Sequence, residues 1–385
     1  MNNCINRVII AVPALPIDIN RIKGGVHSAL NNLLKGFENK NIQIRVISLT
    51  REVEKLKIID YSPNIQIHYI NEGSLPFHSL NYLFYGSRIM KKNILEFNPD
   101  IIHFEEGNTF LFNGILGLLN RKYLLTIHGM AFDEAKRKKK IIDKITWWFN
   151  GTVQKLLTPN NIIHLSEFSK KKHLTKNKEN YMIIPNAVLP FFFSVPSKNK
   201  TNNKLLYIGI IDNNKNLIFL LKNLKRLIEN DKTFTLEVLG DFSNNDIKIL
   251  IENYISENKL EKYVNFNGWV TQSNSLIFLE NADILVVASQ HESLPMVIAE
   301  SMAAGKVVVS SDVGGIPEMI SNNVDGYLYN LSDTNGLFNT LENLYDNSEL
   351  ILKISAAAKK TALSKYECEN VAQKTLDFYN KCLSA

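Results

Sequence analysis

Cysteine is scarce in this chain of 385 residues: Cys4, Cys368 and Cys382 lie near the ends and none forms a CxxC pair. Three cysteines build no disulfide framework, so a reducing compartment and no structural zinc are expected. Long hydrophobic runs are missing too. The longest apolar stretches, such as residues 110–119, fall far short of the roughly 20 residues that span a bilayer. The apolar run 8–13 is too short for a signal peptide, and no small-residue cleavage site follows it. Short repeats and low-complexity tracts are absent. These absences point to a cytoplasmic protein that reaches a membrane only at its surface.

What is present is a globular composition. At 45% hydrophobic and 21% charged the chain is not disordered, and its length at roughly 150 residues per domain suggests two domains. Charge is divided unevenly. Residues 1–190 hold 26 Lys and Arg against 15 Asp and Glu, and the remainder 18 against 23. The N-terminal half is therefore basic and the C-terminal half mildly acidic.

Two blocks concentrate the positive charge: Lys136, Arg137, Lys138, Lys139 and Lys140, and the stretch 170–178, which has no acidic residue. Ile141, Ile142, Ile145, Trp147, Trp148 and Phe149 follow the first block. Basic residues beside aromatics suit an anionic membrane surface. The plainer reading is a helix start whose apolar face turns to the core. A basic patch also suits nucleic acid, but the pI of 8.9 is modest and no nucleic-acid module is present. No nucleic-acid partner is expected.

Short runs rich in Ile and Val end at Gly, Pro, Asn or Ser at 7–13, 42–49, 65–70, 100–104, 123–127 and 162–165. Between them, 26–37 and 80–97 carry helical spacing. The alternation predicts parallel strands covered by helices. It starts again at 204–209, with a helical stretch over 217–228 and strands at 234–239, 263–266, 284–287 and 307–310. The prolines, serine and polar tail of 190–203 read as a linker. Domains are expected at 1–195 and 196–368, with 369–385 forming an amphipathic helix that packs back toward the first domain. The fold class is α/β, with two Rossmann-like doubly wound domains facing across a cleft and ligands at the carboxyl ends of the strands.

The strongest local signal is 289–305, SQHESLPMVIAESMAAG. A buried strand runs into a polar loop, and Pro295 suits the first turn of a helix. Glu292 lies in the loop and Glu300 within the helix, with seven residues between them. A helix N-terminus offers unpaired N–H groups and the positive end of a dipole to an anion. Carboxylates beside it match hydroxyl groups, such as those of a sugar or a ribose. The two glutamates alone are weak evidence, because a solvated helix residue and a loop carboxylate are their plain readings. The downstream DVGGIPE, 312–318, strengthens the signal, since Gly314 and Gly315 allow a turn and close backbone approach.

The stretch HESLPMVIAESMAAGKVVVSSDVGGIPEMISNNVDGYLY resembles the signature region of retaining glycosyltransferases of family four, which have the two-domain GT-B fold. The resemblance covers nearly the whole chain. Gly24-Gly25-Val26 is similar to the family's N-terminal Gly-Gly loop, and Pro99-Asp100-Ile101-Ile102-His103 to its PDxxH strand. Thr126-Ile127-His128-Gly129 resembles the strand end carrying an active-site histidine. Ser166-Glu167-Phe168-Ser169 and Ile184-Pro185-Asn186-Ala187 resemble segments that close the first domain.

That resemblance implies transfer of a sugar from a nucleotide diphosphate donor, a UDP-sugar foremost, to an acceptor hydroxyl with retention at the anomeric carbon. By it, Glu292 contacts the transferred sugar, Glu300 the ribose, and the N–H groups of Met296 and Val297 the distal phosphate. Lys215 contacts the diphosphate, the backbone near Val270 meets the base, and Gly209 lies in the first loop of the second domain. Gly25 lets the first-domain loop approach the phosphates, and His128 hydrogen-bonds the sugar or the reacting oxygens. His103 matches a structural position. No metal or other cofactor is expected, because the protein supplies the positive charge that the leaving diphosphate needs. The basic first domain fits a lipid-linked glycan acceptor at the inner face of the cytoplasmic membrane, as in O-antigen or capsule synthesis.

One position departs from the pattern. Many relatives carry a basic residue after the glycine of the first second-domain strand, and here it is Ile210. The residue before the lysine, often arginine in related subgroups, is Asn214. Either helix N–H groups and Asn213 or Asn214 compensate, or activity is weak. A non-catalytic partner subunit and a sugar-nucleotide epimerase of the same fold are the alternatives.

Overall fold

The computed structural model describes residues 5–18, 22, 24–73, 85–105, 121–129, 141, 144–145, 147–148, 151–152, 159–173 and 180–384. They divide into two compact units, 1–187 with 368–385, and 188–367.

Among the described residues the first unit holds an eight-stranded sheet in the order β3-β4-β2-β1-β5-β6-β7-β8. The strands are β1 (Arg7–Pro13), β2 (Gln43–Thr50), β3 (Leu56–Ser62), β4 (Ile65–Asn71), β5 (Ile101–Glu105), β6 (Lys122–Ile127), β7 (Asn161–His164) and β8 (Asn180–Ile183). All neighbours pair in parallel except β3 and β4, which form a hairpin. The central strands are buried on both faces, so they read as unbroken apolar runs such as Val8–Val12. The chain winds outward from β1 through β2, then returns to lay β5 on the other side of β1. That reversal is the sheet's switch point.

Two strands of this unit went unread in the sequence. β3 is an edge strand whose Leu56 and Ile58 face solvent, so its pattern has no buried alternation to reveal it. β8 has four residues and also lies at an edge. The helical stretch expected over 80–97 is a helix over Ser87–Phe97; residues 80–84 lie outside the described set.

The second unit has six parallel strands in the order β11-β10-β9-β12-β13-β14. They are β9 (Lys204–Ile208), β10 (Thr235–Leu239), β11 (Val264–Phe266), β12 (Ile284–Val287), β13 (Val307–Ser311) and β14 (Tyr327–Tyr329). Here the winding reverses between β9 and β12. Amphipathic helices cover the faces. Leu217–Glu229, for example, buries Leu217, Leu220, Leu221, Leu224 and Leu227 in the core.

The boundary near 195 needs correction. The second unit starts at Val188, because the stretch read as a linker is apolar enough to be core. The short helix Pro190–Phe193 buries Phe192 completely beside Val188, Leu189 and Val195. The Val188 N–H also donates to the Tyr366 carbonyl at 2.7 Å. At the other end the unit closes at Glu367, and the helix Cys368–Ser384 belongs to the first unit. Its Val371, Ala372, Phe378, Tyr379 and Cys382 enter the core beneath β1 and the helix Gly25–Phe37. The approach of the two helices is close enough that Gly36 is required: a Cβ there would lie 2.1 Å from the Cys368 carbonyl oxygen. No described helix is long and apolar enough to cross a membrane.

Candidate active site

In the second unit the predicted residues gather where the switch-point rule places a ligand, beyond the carboxyl ends of β9 and β12. β9 is followed by Gly209, whose φ of 150° favours glycine. β10 is followed by Gly240, where a Cβ would fall 1.9 Å from the Gly209 carbonyl oxygen. After Gly209 the chain exposes Ile210, 51% accessible, and turns on Asp212, whose Oδ1 accepts the Lys215 N–H at 2.7 Å. The turn carries the Lys215 side chain back over Gly209.

Lys215 there meets Glu292, with Nζ 2.5 Å from Oε1. The two loops are laced together. Gln290 donates from its backbone N–H to the Asn214 carbonyl at 2.8 Å and from Nε2 to the Asn213 carbonyl at 3.1 Å. Asn214 Nδ2 donates to the His291 carbonyl at 3.1 Å. The Asn214 amide is therefore engaged in holding the loop. From the other side Gly314, at φ 62°, packs on Glu292 so tightly that a Cβ would reach within 1.7 Å of its carbonyl oxygen. The Gly315 N–H donates to that oxygen at 3.2 Å. The close approach read from DVGG is thus an approach to the main chain of Glu292.

Met296 and Val297 open the helix Met296–Ala303. Pro295 is its N-cap, and no side chain caps it. Glu300, one turn further, is buried and accepts from Gln272 Nε2 at 2.6 Å. Burial raises its carboxyl to about 7, against the lowering effect of that hydrogen bond. Gln272 begins the helix Gln272–Asn281, capped by Thr271, directly after Val270. The loop behind β11 is held by the Trp269 N–H on Asp241 Oδ1 at 3.1 Å. Gln272 and Asp212 were missed in the sequence, since a glutamine and an aspartate in polar loops carry no local signal.

In the first unit, His128 directly follows β6 and Glu105 ends β5. His128 Nε2 lies 2.6 Å from Glu105 Oε2, and both side chains are nearly buried. Glu105 was also missed, although its spacing of two from His103 on a strand places both on one face. A cavity of about 30 Å³ lies against His103, Glu105, Thr126 and His128, with Val371 and Thr375 of the terminal helix on its wall. Gly25 begins its helix after Gly24, which has φ 96°. No described atom lies within 4 Å of a Cβ built on Gly25, so packing does not dictate a glycine there.

Lys136–Lys140 lie outside the described residues. Trp147 and Trp148 are described as helical; Trp147 is half-buried and Trp148 is 61% accessible. Ile141 and Ile145, at helical spacing before Trp148, are exposed as well. Among the described residues no cluster of three or more His, Cys, Asp or Glu is placed to hold a metal ion.

Comparison with known proteins follows the same division. The family model described as Glycosyltransferase Family 4 matches residues 23–189, and that described as Glycosyl transferases group 1 matches 190–361. The chain is 26% identical over 305 residues to a UDP-Gal:alpha-D-GlcNAc-diphosphoundecaprenol alpha-1,3-galactosyltransferase of Escherichia coli, covering 73% of this chain and 75% of that one. It is 31% identical over 176 residues to a lipopolysaccharide 1,2-N-acetylglucosaminetransferase of Salmonella typhimurium, covering 44% and 46%. In structure it resembles the sucrose-phosphate synthase of Thermosynechococcus elongatus, with a TM-score of 0.82, 16% identity and 98% and 99% of the two chains covered. It also resembles an Anabaena protein solved with UDP and glucose, with a TM-score of 0.71, 15% identity and 96% and 98% covered. With both family models in tandem and a doubly wound sheet under each, the chain belongs to the family 4 glycosyltransferases and is a sugar-transferring enzyme of the GT-B fold.

Proposed function

We propose that this enzyme transfers a sugar from a UDP-sugar, with retention at the anomeric carbon, to a lipid-linked glycan in the synthesis of a surface polysaccharide such as O-antigen or capsule. The observation that carries the reading is the pairing of Lys215 with Glu292 beside the uncapped N-terminus of Met296–Ala303. A cation and free amides suit a diphosphate, and a carboxylate next to them suits the hydroxyls of the sugar it carries. The name of the E. coli relative supports a UDP-linked donor and a polyprenyl diphosphate acceptor.

In this reading the bond between the anomeric carbon and the diphosphate oxygen breaks and the nucleoside diphosphate leaves with the electron pair. Lys215 and the N–H groups of Met296 and Val297 meet the negative charge as it develops, so no metal is needed. The acceptor oxygen bonds to the same face of the sugar and passes its proton to a phosphate oxygen. Glu300 holds the ribose, the backbone near Val270 the base, and His128 the sugar. The first unit serves the acceptor. Exposed Ile141, Ile145 and Trp148, following Lys136–Lys140 in the chain, support contact with an anionic membrane surface at the inner face of the cytoplasmic membrane.

The test is a panel of UDP-, GDP-, ADP- and dTDP-sugars with a polyprenyl diphosphate-linked sugar as acceptor. Nucleoside diphosphate release is followed, and the product's anomeric configuration is read by NMR. Release from a UDP-sugar with an α-linked product from an α-linked donor is expected. Inversion would overturn retention, and release only from another nucleotide would overturn the donor assignment.

A further inference from the structure

Five side chains of the first unit form a connected set of polar contacts. Tyr379 Oη lies 2.6 Å from His103 Nδ1. His103 Nε2 lies 2.6 Å from Thr126 Oγ1 and 3.4 Å from Glu105 Oε1. Glu105 Oε2 lies 2.6 Å from His128 Nε2. Tyr379 comes from the terminal helix, 276 positions from His103 in the chain. Tyr379, His103 and Glu105 are all buried.

The protons in this set have one consistent placement. Burial raises the Tyr379 hydroxyl well above its ordinary range, so it keeps its proton and donates to His103 Nδ1. Burial lowers the His103 imidazole, which stays neutral and donates from Nε2 to Thr126. Burial opposes the charge on Glu105, but the hydrogen bond from His128 favours it, and the carboxyl lies below its ordinary range. An ionised carboxylate only accepts hydrogen bonds. The nitrogen that faces it, Nε2 of His128, is therefore the protonated one.

We infer that Glu105 is a positioning residue that holds His128 with its proton on Nε2, leaving Nδ1 to face substrate, while His103 and Tyr379 brace the strand end that carries it. The inference rests on the active-site reading of His128. A carboxylate that fixes the tautomer and orientation of an imidazole is an established catalytic device in other enzymes. A buried carboxylate is costly to desolvate, which a histidine needed for packing alone would not require.

The test uses the whole chain labelled with ¹⁵N-histidine, with the His128 signals identified by their loss in His128→Gln. In the wild type the neutral His128 ring should carry its proton on Nε2. In Glu105→Gln the two tautomers should mix. Glu105→Gln should also lower kcat about 10- to 100-fold, the worth of a charge-assisted hydrogen bond, with the donor KM unchanged. A smaller fall in kcat is expected for Tyr379→Phe. A wild-type proton on Nδ1, or an unchanged kcat in folded Glu105→Gln, overturns the inference. Should Glu105→Gln fail to fold, the wild-type tautomer decides alone. The nitrogen shifts need no substrate, so a protein that transfers no sugar would refute the proposed function while the tautomer is still read.

Discussion

Lys215 and Glu292 share a 2.5 Å charge-assisted hydrogen bond between loops that leave the neighbouring strands β9 and β12. The lysine proposed for the diphosphate is thus held by the carboxylate proposed for the sugar. In the proposed function, donor binding draws Lys215 toward the diphosphate and lets Glu292 turn to the sugar.

The exchange predicts opposite effects of one substitution. Glu292→Gln should lower transfer about 10- to 100-fold. The same change frees Lys215, so UDP without its sugar should bind up to about fivefold tighter, the worth of a partly exposed pair of about 1 kcal/mol. Calorimetry with UDP and a transfer assay read the two effects. Weaker UDP binding with intact transfer would show that the pair does not compete with the donor.

Ile210 stands half-exposed just after Gly209, beside the loop of Lys215, and the Asn214 amide is engaged on the His291 carbonyl. Ile210→Lys should therefore fold normally and bind UDP more tightly by up to about 1 kcal/mol at low salt, with the gain shrinking at high salt. An affinity identical to wild type at low salt would place residue 210 away from the diphosphate.

Glu300 is buried with its carboxyl raised to about 7. A raised carboxyl favours folding most below its unfolded value, near 4.3, and loses that contribution as pH rises through 7. Glu300→Gln removes the loss. Its stability relative to wild type should rise between about pH 4.5 and 7 and level off above, by about 3 kcal/mol in all. Urea unfolding at several pH values measures it, and a pH-independent difference would mean that Glu300 titrates normally.

Gly36→Ala should lower the melting temperature despite alanine's better helix propensity, worth about 1 kcal/mol. The added methyl meets the Cys368 backbone and Ala372, and such overpacking costs roughly 1–3 kcal/mol. A raised melting temperature would show that the terminal helix yields easily.

Trp148→Ala and Ile145→Ala should weaken binding to vesicles containing anionic lipid, and neutralising Lys136–Lys140 should do so more at low salt than at high salt. Unchanged co-sedimentation at low salt in all three would remove the membrane surface from the reading.

Much of this was legible in the sequence because its signals are local. Ile- and Val-rich runs such as 8–12 and 284–287 are apolar throughout because both faces of a central parallel strand are buried. Gly209 and Gly314 stand where the backbone takes positive φ. The edge strands β3 and β8 lack that burial, and the three-residue β14 is too short to show a period.

By itself, then, the sequence determined two strand-and-helix series, the loops that end their strands, and the candidate side chains those loops carry. Tertiary structure decided what each side chain meets. Lys215 faces Glu292 because β9 lies beside β12 in the sheet, although the two residues are 77 positions apart in the chain. Glu300 is buried because Gln272 arrives from another helix, and Glu105 reaches His128 because β5 lies beside β6. The unit boundary fell at 188 because Phe192 found a core, and the terminal helix joined the first unit because Gly36 leaves room for it. Propensity and pattern act over a few residues, whereas strand order and packing partners depend on the whole chain.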